Sequence, residues 1–185
     1  IGMAYNNIGR IYSDLGKYDQ ALDFFNKAME IKRTEGRELS MANTLLNIGN
    51  TYEKMGHLSL AENYFNRAIN IRTNLHNREG IAEAMQYLAQ VYFLEGKLQL
   101  AEKFLKRSIG IADSLNLNAR KVDGYKSLSE VYAKRGNYQE AYLAYKRYNV
   151  YRDSVFSAEK RKMLIEVDAR YKFEVSNNTI KMLSK

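Results

Sequence analysis

The chain has 185 residues, 45% of them hydrophobic and 27% charged, with no cysteine, no proline and no tryptophan. That composition belongs to a folded chain, and it excludes disulfides, thiol catalysis and cysteine-ligated metals. The net charge of +8 is spread as +5 over 1–153 and +3 over 154–185, which argues against the concentrated basic face of a nucleic-acid-binding protein.

The first element is an apolar stripe at helical spacing, Tyr5, Ile8, Ile11 and Tyr12. Gly16 ends it, as a residue past a helix C-terminus usually adopts the left-handed conformation that glycine visits without steric penalty. A second stripe follows at Tyr18, Ala21, Leu22, Phe25, Ala28 and Met29, so the unit is helix, tight glycine turn, antiparallel helix. The unit then recurs every 40 residues: Tyr12, Tyr52, Tyr92 and Tyr132; Gly16, Gly56, Gly96 and Gly136; Ala21, Ala61, Ala101 and Ala141. Small residues occupy the middle of each first helix, at Gly9, Gly49, Ala89 and Ser129. Glycine there costs about 1 kcal/mol of helix propensity, and close approach of the partner helix is the gain that offsets it. The four hairpins span about 2–40, 42–80, 82–120 and 122–153.

The register of Tyr5, Ile8-Gly9, Tyr12, Gly16, Ala21, Phe25 and Ala28 resembles the tetratricopeptide repeat family. The second copy reads Leu45, Ile48-Gly49, Tyr52, Gly56, Ala61, Phe65, Ala68, and the third and fourth follow with looser ends at Ser108 and Tyr148. The resemblance implies an all-α, right-handed superhelix of four hairpins plus a C-terminal helix. A period of 40 taken alone fits HEAT or armadillo repeats better, and the register of small residues decides against them. Compared with the family's usual period of 34, the six extra residues per unit fall near Thr34–Ser40, Asn74–Gly80 and Ser114–Arg120, or lengthen the helices there. The family's proline near the end of the second helix is replaced by Arg33, Thr73, Asp113 and Asp153, so the second helices have no enforced stop.

In this family the first helices line a concave groove. The residues that avoid the packing stripe, and so are expected in that groove, are Asn6, Asn7, Arg10, Asn43, Asn47, Asn50, Gln86, Tyr87, Gln90, Lys126 and Glu130. Asn and Gln present both a donor and an acceptor, which suits the backbone of an extended peptide. Asn7, Asn47 and Asn50 resemble the asparagine ladder of peptide-binding members. The carboxylate clamp for chaperone tails is not expected. Asn47 fits it, but Asn6, Glu83 and Tyr87 stand where basic residues belong.

Beyond Asp153 no fifth turn occurs. Residues 154–185 read as a capping or linker helix, with Leu164, Val167, Tyr171 and Val175 on one stripe and Ile180, Met182 and Leu183 beyond it. This helix either covers the last hairpin or leads into a coiled coil that dimerises the chain. The segment Asp153-Ser154-Val155-Phe156, with Glu159-Lys160 and Tyr171, resembles the junction after the repeats in sensor histidine kinases and repeat-containing transcriptional regulators of Bacteroidetes-type bacteria. That resemblance implies a signalling role and a periplasmic portion of a membrane-anchored protein, with a cytosolic place as the alternative. The start at Ile1, inside a repeat, reads as that of a fragment.

No catalytic, cofactor or metal site is expected: His57 and His76 follow turns away from any carboxylate partner. The partners expected are a protein or peptide in the groove and a second copy at the C-terminal helix. No nucleic acid is expected, and a membrane only through segments outside 1–185.

Overall fold

The computed structural model describes residues 1–183, with side chains through Asp168 apart from Leu164 and Val167. The stripe Leu164, Val167, Tyr171 and Val175 therefore lies outside the described side chains, as do Ile180, Met182 and Leu183. Among the described residues there are eight helices and no strand: α1 (Gly2–Asp14), α2 (Tyr18–Thr34), α3 (Glu38–Lys54), α4 (Leu58–Asn74), α5 (Arg78–Leu94), α6 (Leu98–Ser114), α7 (Asn118–Lys134) and α8 (Tyr138–Leu183). None is long and apolar enough to cross a membrane.

The 40-residue period divides into two halves of 20. The helices α2 to α7 are each 17 residues long, and every connection is the same three-residue turn. The six extra residues therefore lengthen helices, and the links between hairpins are as short as those within them. Left-handed residues recur at Gly16, Gly36, Gly56, His76, Gly96, Asn116 and Gly136. At each, the next amide reaches back to a carbonyl of the helix just ended, as in Lys17 N to Tyr12 O at 2.9 Å and Asn77 N to Arg72 O at 2.8 Å. This bond satisfies a carbonyl that the helix end would otherwise orphan. His76, at φ 53°, carries a Cβ in a conformation that disfavours one. His76→Gly is expected to stabilise the chain by about 0.5–1 kcal/mol, seen as a rise of a few degrees in the thermal midpoint. An unchanged or lower midpoint would show that this turn carries no strain.

Each helix packs on its neighbours in sequence, and successive odd helices also touch (α1 with α3, α3 with α5, α5 with α7), whereas even helices do not touch one another. The array therefore curves with the odd helices inside. Within a hairpin the close approach is between glycine and an aromatic ring. A Cβ on Gly9 would lie 2.7 Å from the Phe25 ring, and one on Gly49 would lie 2.5 Å from Phe65 Cε1. Both rings are fully buried. At the same positions the third hairpin carries Ala89 and the buried Leu105, and the fourth carries Ser129 and Tyr145, which is half exposed.

Ile11 does not join the core; it is 57% exposed. Its counterparts Thr51, Val91 and Val131 are buried, because this position faces the preceding hairpin, as the Thr51 hydroxyl bond to Ser13 shows. Among the described residues α1 has no such neighbour. The second helices of hairpins one to three stop at their turns without proline. The fourth runs on: α8 passes through Asp153 without a break and is 46 residues long.

Candidate functional site on the inner face

The odd helices turn one row of residues to the inside of the curve, at helical steps of four, three and four. In α3 the row is Asn43, Asn47, Asn50 and Lys54. In α1 it ends in Asn7, Arg10 and Asp14, and in α5 it reads Glu83, Tyr87, Gln90 and Leu94. A cavity of about 360 Å³ opens where these rows meet, lined by Arg10, Asp14, Asn47, Asn50, Glu53, Lys54, Glu83 and Tyr87 with Ser13 and Phe25 at its base.

Its polar groups are held from behind. The Asn47 amide donates to Asn6 Oδ1 at 3.0 Å. The Lys54 ammonium donates to Asp14 Oδ1 at 2.8 Å, and this bond, with the charge behind it, holds the Asp14 carboxyl below its ordinary range. Tyr87 stacks on Phe65 with ring centres 5.5 Å apart, which fixes its ring against the floor. Burial pushes the Glu53 carboxyl up, with Lys54 opposing. Glu83 accepts from Arg72 at 3.0 Å and from Arg120 at 2.7 Å, so its charge is already matched. Arg10 and Asn50 line the cavity and make no side-chain hydrogen bond or ion pair among the described residues.

Of the residues expected in the groove, the cavity brings together Arg10, Asn47, Asn50 and Tyr87. Asn7, Gln90 and Glu130 lie on the same rows beyond it. Three others are engaged within the chain. Asn6 serves Asn47. Gln86 donates to the Arg120 carbonyl at 2.8 Å. Asn43 accepts from Arg72 at 2.7 Å. Asn6 and Gln86 share a position that faces the next odd helix, where hairpin two carries the buried Leu46, and Lys126 holds the same position exposed on α7. Leu46 was the sequence signal that this position packs. Asp14, Glu53 and Lys54 were missed, although Asp14 and Lys54 continue the row one step beyond Arg10 and Asn50.

Two of the buried cations hold the joints after the first and second hairpins. Lys32 and Arg72, one period apart, are each 3% exposed. Lys32 donates to the Ser40 carbonyl at 3.1 Å and to Thr44 Oγ1 at 2.6 Å, with no carboxylate among these partners, and burial lowers its pKa. Tyr92, in the core, is pushed up to about 12 by burial and then by the Glu62 carboxylate to which it donates at 2.8 Å. It is a structural donor.

A family model described as tetratricopeptide repeat matches residues 1–74 and 40–114. No curated protein matches the sequence. Solved structures with the same architecture include BtubC (BKLC) from P. vanneervenii, with TM-score 0.73 and 20% identity over 83% of this chain and 64% of that one. A singly substituted form of the nearly identical TPR-like repeats of a Podosopora anserina putative kinesin light chain follows at TM-score 0.67 and 18% identity, covering 79% of this chain and 72% of that one. The apo form of RapI matches at TM-score 0.71 and 15% identity over 83% of this chain and 43% of that one. This chain thus spans less than two thirds of BtubC and of RapI, and at these identities the likeness is one of fold. The family match covers more than half of the chain, in the register of the small residues that close each hairpin, and the chain belongs to the tetratricopeptide repeat family.

Proposed function

We propose that the inner face binds an extended segment of a partner protein, in the cavity between α1, α3 and α5. The repeats are of a kind that serves as a protein-interaction scaffold, in a fold that is generally non-catalytic. The observation that carries the finer reading is the pair Arg10 and Asn50. Neither makes a side-chain hydrogen bond or ion pair among the described residues, and both line, with Asn47, a cavity in which Asp14 and Lys54 pair with each other and Glu83 is held by Arg72 and Arg120. The Asn50 amide meets the donor and acceptor of a peptide backbone, Arg10 offers a fork to a carboxylate, and Tyr87 supplies a flat apolar wall. The wider setting we infer is the recognition region of a signalling protein, in the manner of a repeat-bearing sensor kinase or regulator. The unbroken passage from the fourth hairpin into α8 supports it.

The test is selection from a displayed library of random dodecapeptides, followed by fluorescence polarisation with an enriched peptide. Arg10→Ala with Asn50→Ala is expected to weaken binding about tenfold to a hundredfold with unchanged helical circular dichroism. No enrichment, or an enriched peptide indifferent to both substitutions, sinks the groove reading. A second reading, a dimerising element at α8, is favoured by the open side of that helix.

A further inference from the structure

In the first three hairpins one side of the second helix packs against the next odd helix. The residues are Phe25, Met29 and Lys32 in α2, Phe65, Ile69 and Arg72 in α4, and Leu105, Ile109 and Ala112 in α6. Phe25, Phe65 and Leu105 are at most 1% exposed. The corresponding residues of α8 are Tyr145, Asn149 and Arg152, and Tyr145 is 50% exposed. The cause is in the chain. Gly36, His76 and Asn116 turn it back so that an odd helix covers this side. Their counterpart, Phe156, is helical and 65% exposed. The helix continues to Leu183, and among the described residues no odd helix covers this side.

The open side forms a row at steps of three and four: Tyr138, Tyr142, Tyr145, Asn149, Arg152, Phe156, Lys160. At 100° per residue it spans an arc of about 80°, about 100° away from the side that carries Ala141, Ala144, Tyr148 and Tyr151 into the core. Tyr142 is 67% exposed and Tyr138 73%. Exposed tyrosine and arginine in one row is the composition of a protein interface.

The row is complementary to its own reverse. Laid antiparallel about Asn149, Tyr142 meets Phe156, Tyr145 meets Arg152, Tyr138 meets Lys160 and Asn149 meets itself. These are an aromatic pair, two cation–π pairs and an amide pair with both donor and acceptor satisfied. The Arg152 guanidinium already lies 5.5 Å from the Tyr148 ring centre in its own chain. A parallel arrangement would set Arg152 against Arg152 and Lys160 against Lys160. We propose that this side of α8 seats a second copy of the chain, the two helices packing antiparallel about a two-fold axis at Asn149. The inference rests on the reading of α8 as a dimerising element, and it adds the face, the axis and the direction. A two-fold contact of this kind closes on itself and stops at two copies.

Sedimentation equilibrium of the full chain is expected to show a concentration-dependent dimer. Tyr145→Glu with Phe156→Glu is expected to weaken it about a hundredfold at unchanged helicity, while Arg10→Ala with Asn50→Ala leaves it intact. The chain has no cysteine, so direction is read by cross-linking. Asn149→Cys is expected to form a disulfide with its own copy. Tyr142→Cys is expected to link only when mixed with Phe156→Cys. A monomer at all concentrations overturns both the dimer reading and the seat. A dimer indifferent to the glutamates, or self-linking of Tyr142→Cys, leaves the dimer reading standing and overturns the antiparallel seat.

Discussion

Gly49→Ala is expected to destabilise the array by about 1–3 kcal/mol, and Phe65→Leu added to that chain is expected to cost markedly less than it costs in the parent. The new methyl would stand 2.5 Å from Phe65 Cε1 and 2.8 Å from Cδ1. The ring cannot yield, because it is fully buried and its far face carries Tyr87. The α3–α4 hairpin and the α4–α5 joint would both have to open slightly. The third hairpin already contains the compensated pair, Ala89 opposite Leu105, at the same positions. Phe65→Leu alone loses buried area and the Tyr87 stack, about 1–2 kcal/mol. The double variant is then expected to fall short of the sum of the singles by about 1 kcal/mol or more. Denaturant unfolding of the four proteins measures this coupling. Additivity within about 0.5 kcal/mol would mean that the ring is not what keeps Gly49 small.

The buried cations Lys32 and Arg72 are expected to respond in opposite directions. Arg72→Met removes donors from the Gly80 carbonyl, Asn43 and Glu83 at once. Glu83 keeps Arg120, which limits the loss to about 3 kcal/mol. Lys32→Met removes a buried ammonium whose acceptors are neutral. Thr44 Oγ1 still donates to the Ser40 carbonyl afterwards, so no acceptor is orphaned there. This variant is expected to be more stable than the parent at pH 7. The pH dependence follows from the lowered pKa of Lys32. Where the folded pKa lies below the unfolded one, the unfolded chain binds more protons, and stability rises with pH between the two values. The cost of Lys32 is therefore full below its folded pKa and fades as the pH climbs from there towards the unfolded value of 10.5. The advantage of Lys32→Met is expected to shrink over the same range, and thermal midpoints at pH 7 and pH 10 check it. An advantage that is constant with pH would assign the effect to packing and not to charge.

The hairpins were legible because their causes are local. A glycine that must go left-handed and a small residue under a ring leave marks at one position each, and four copies multiply them. The halving of the period to 20 was legible in principle at Gly36 and Asn116, but His76 breaks the pattern, since a histidine does not announce a left-handed turn. The exposure of Ile11 was not legible, because an apolar residue at a joint looks the same whether or not another hairpin stands before it. The groove was half legible. Helical spacing separates the packing stripe from the rest of the surface. It does not separate the inner row of Asn47 and Asn50 from the flank of Asn6 and Gln86, which the next odd helix covers. The buried cations were not legible at all, because a Lys or Arg near a helix end reads as surface until the following hairpin closes over it.

The unbroken course of α8 has a mechanical consequence. From Val155 to Leu183 the helix measures about 44 Å, and it is rooted in the fourth hairpin through the Tyr125–Tyr151 stack, with ring centres 5.6 Å apart. A hinge at the Gly136 turn would separate α7 from α8, but no turn stands between hairpin and extension. The extension is a lever arm. A tilt of the last hairpin by about 10° would carry its tip through about 8 Å, a stroke on the scale of one helical turn or more.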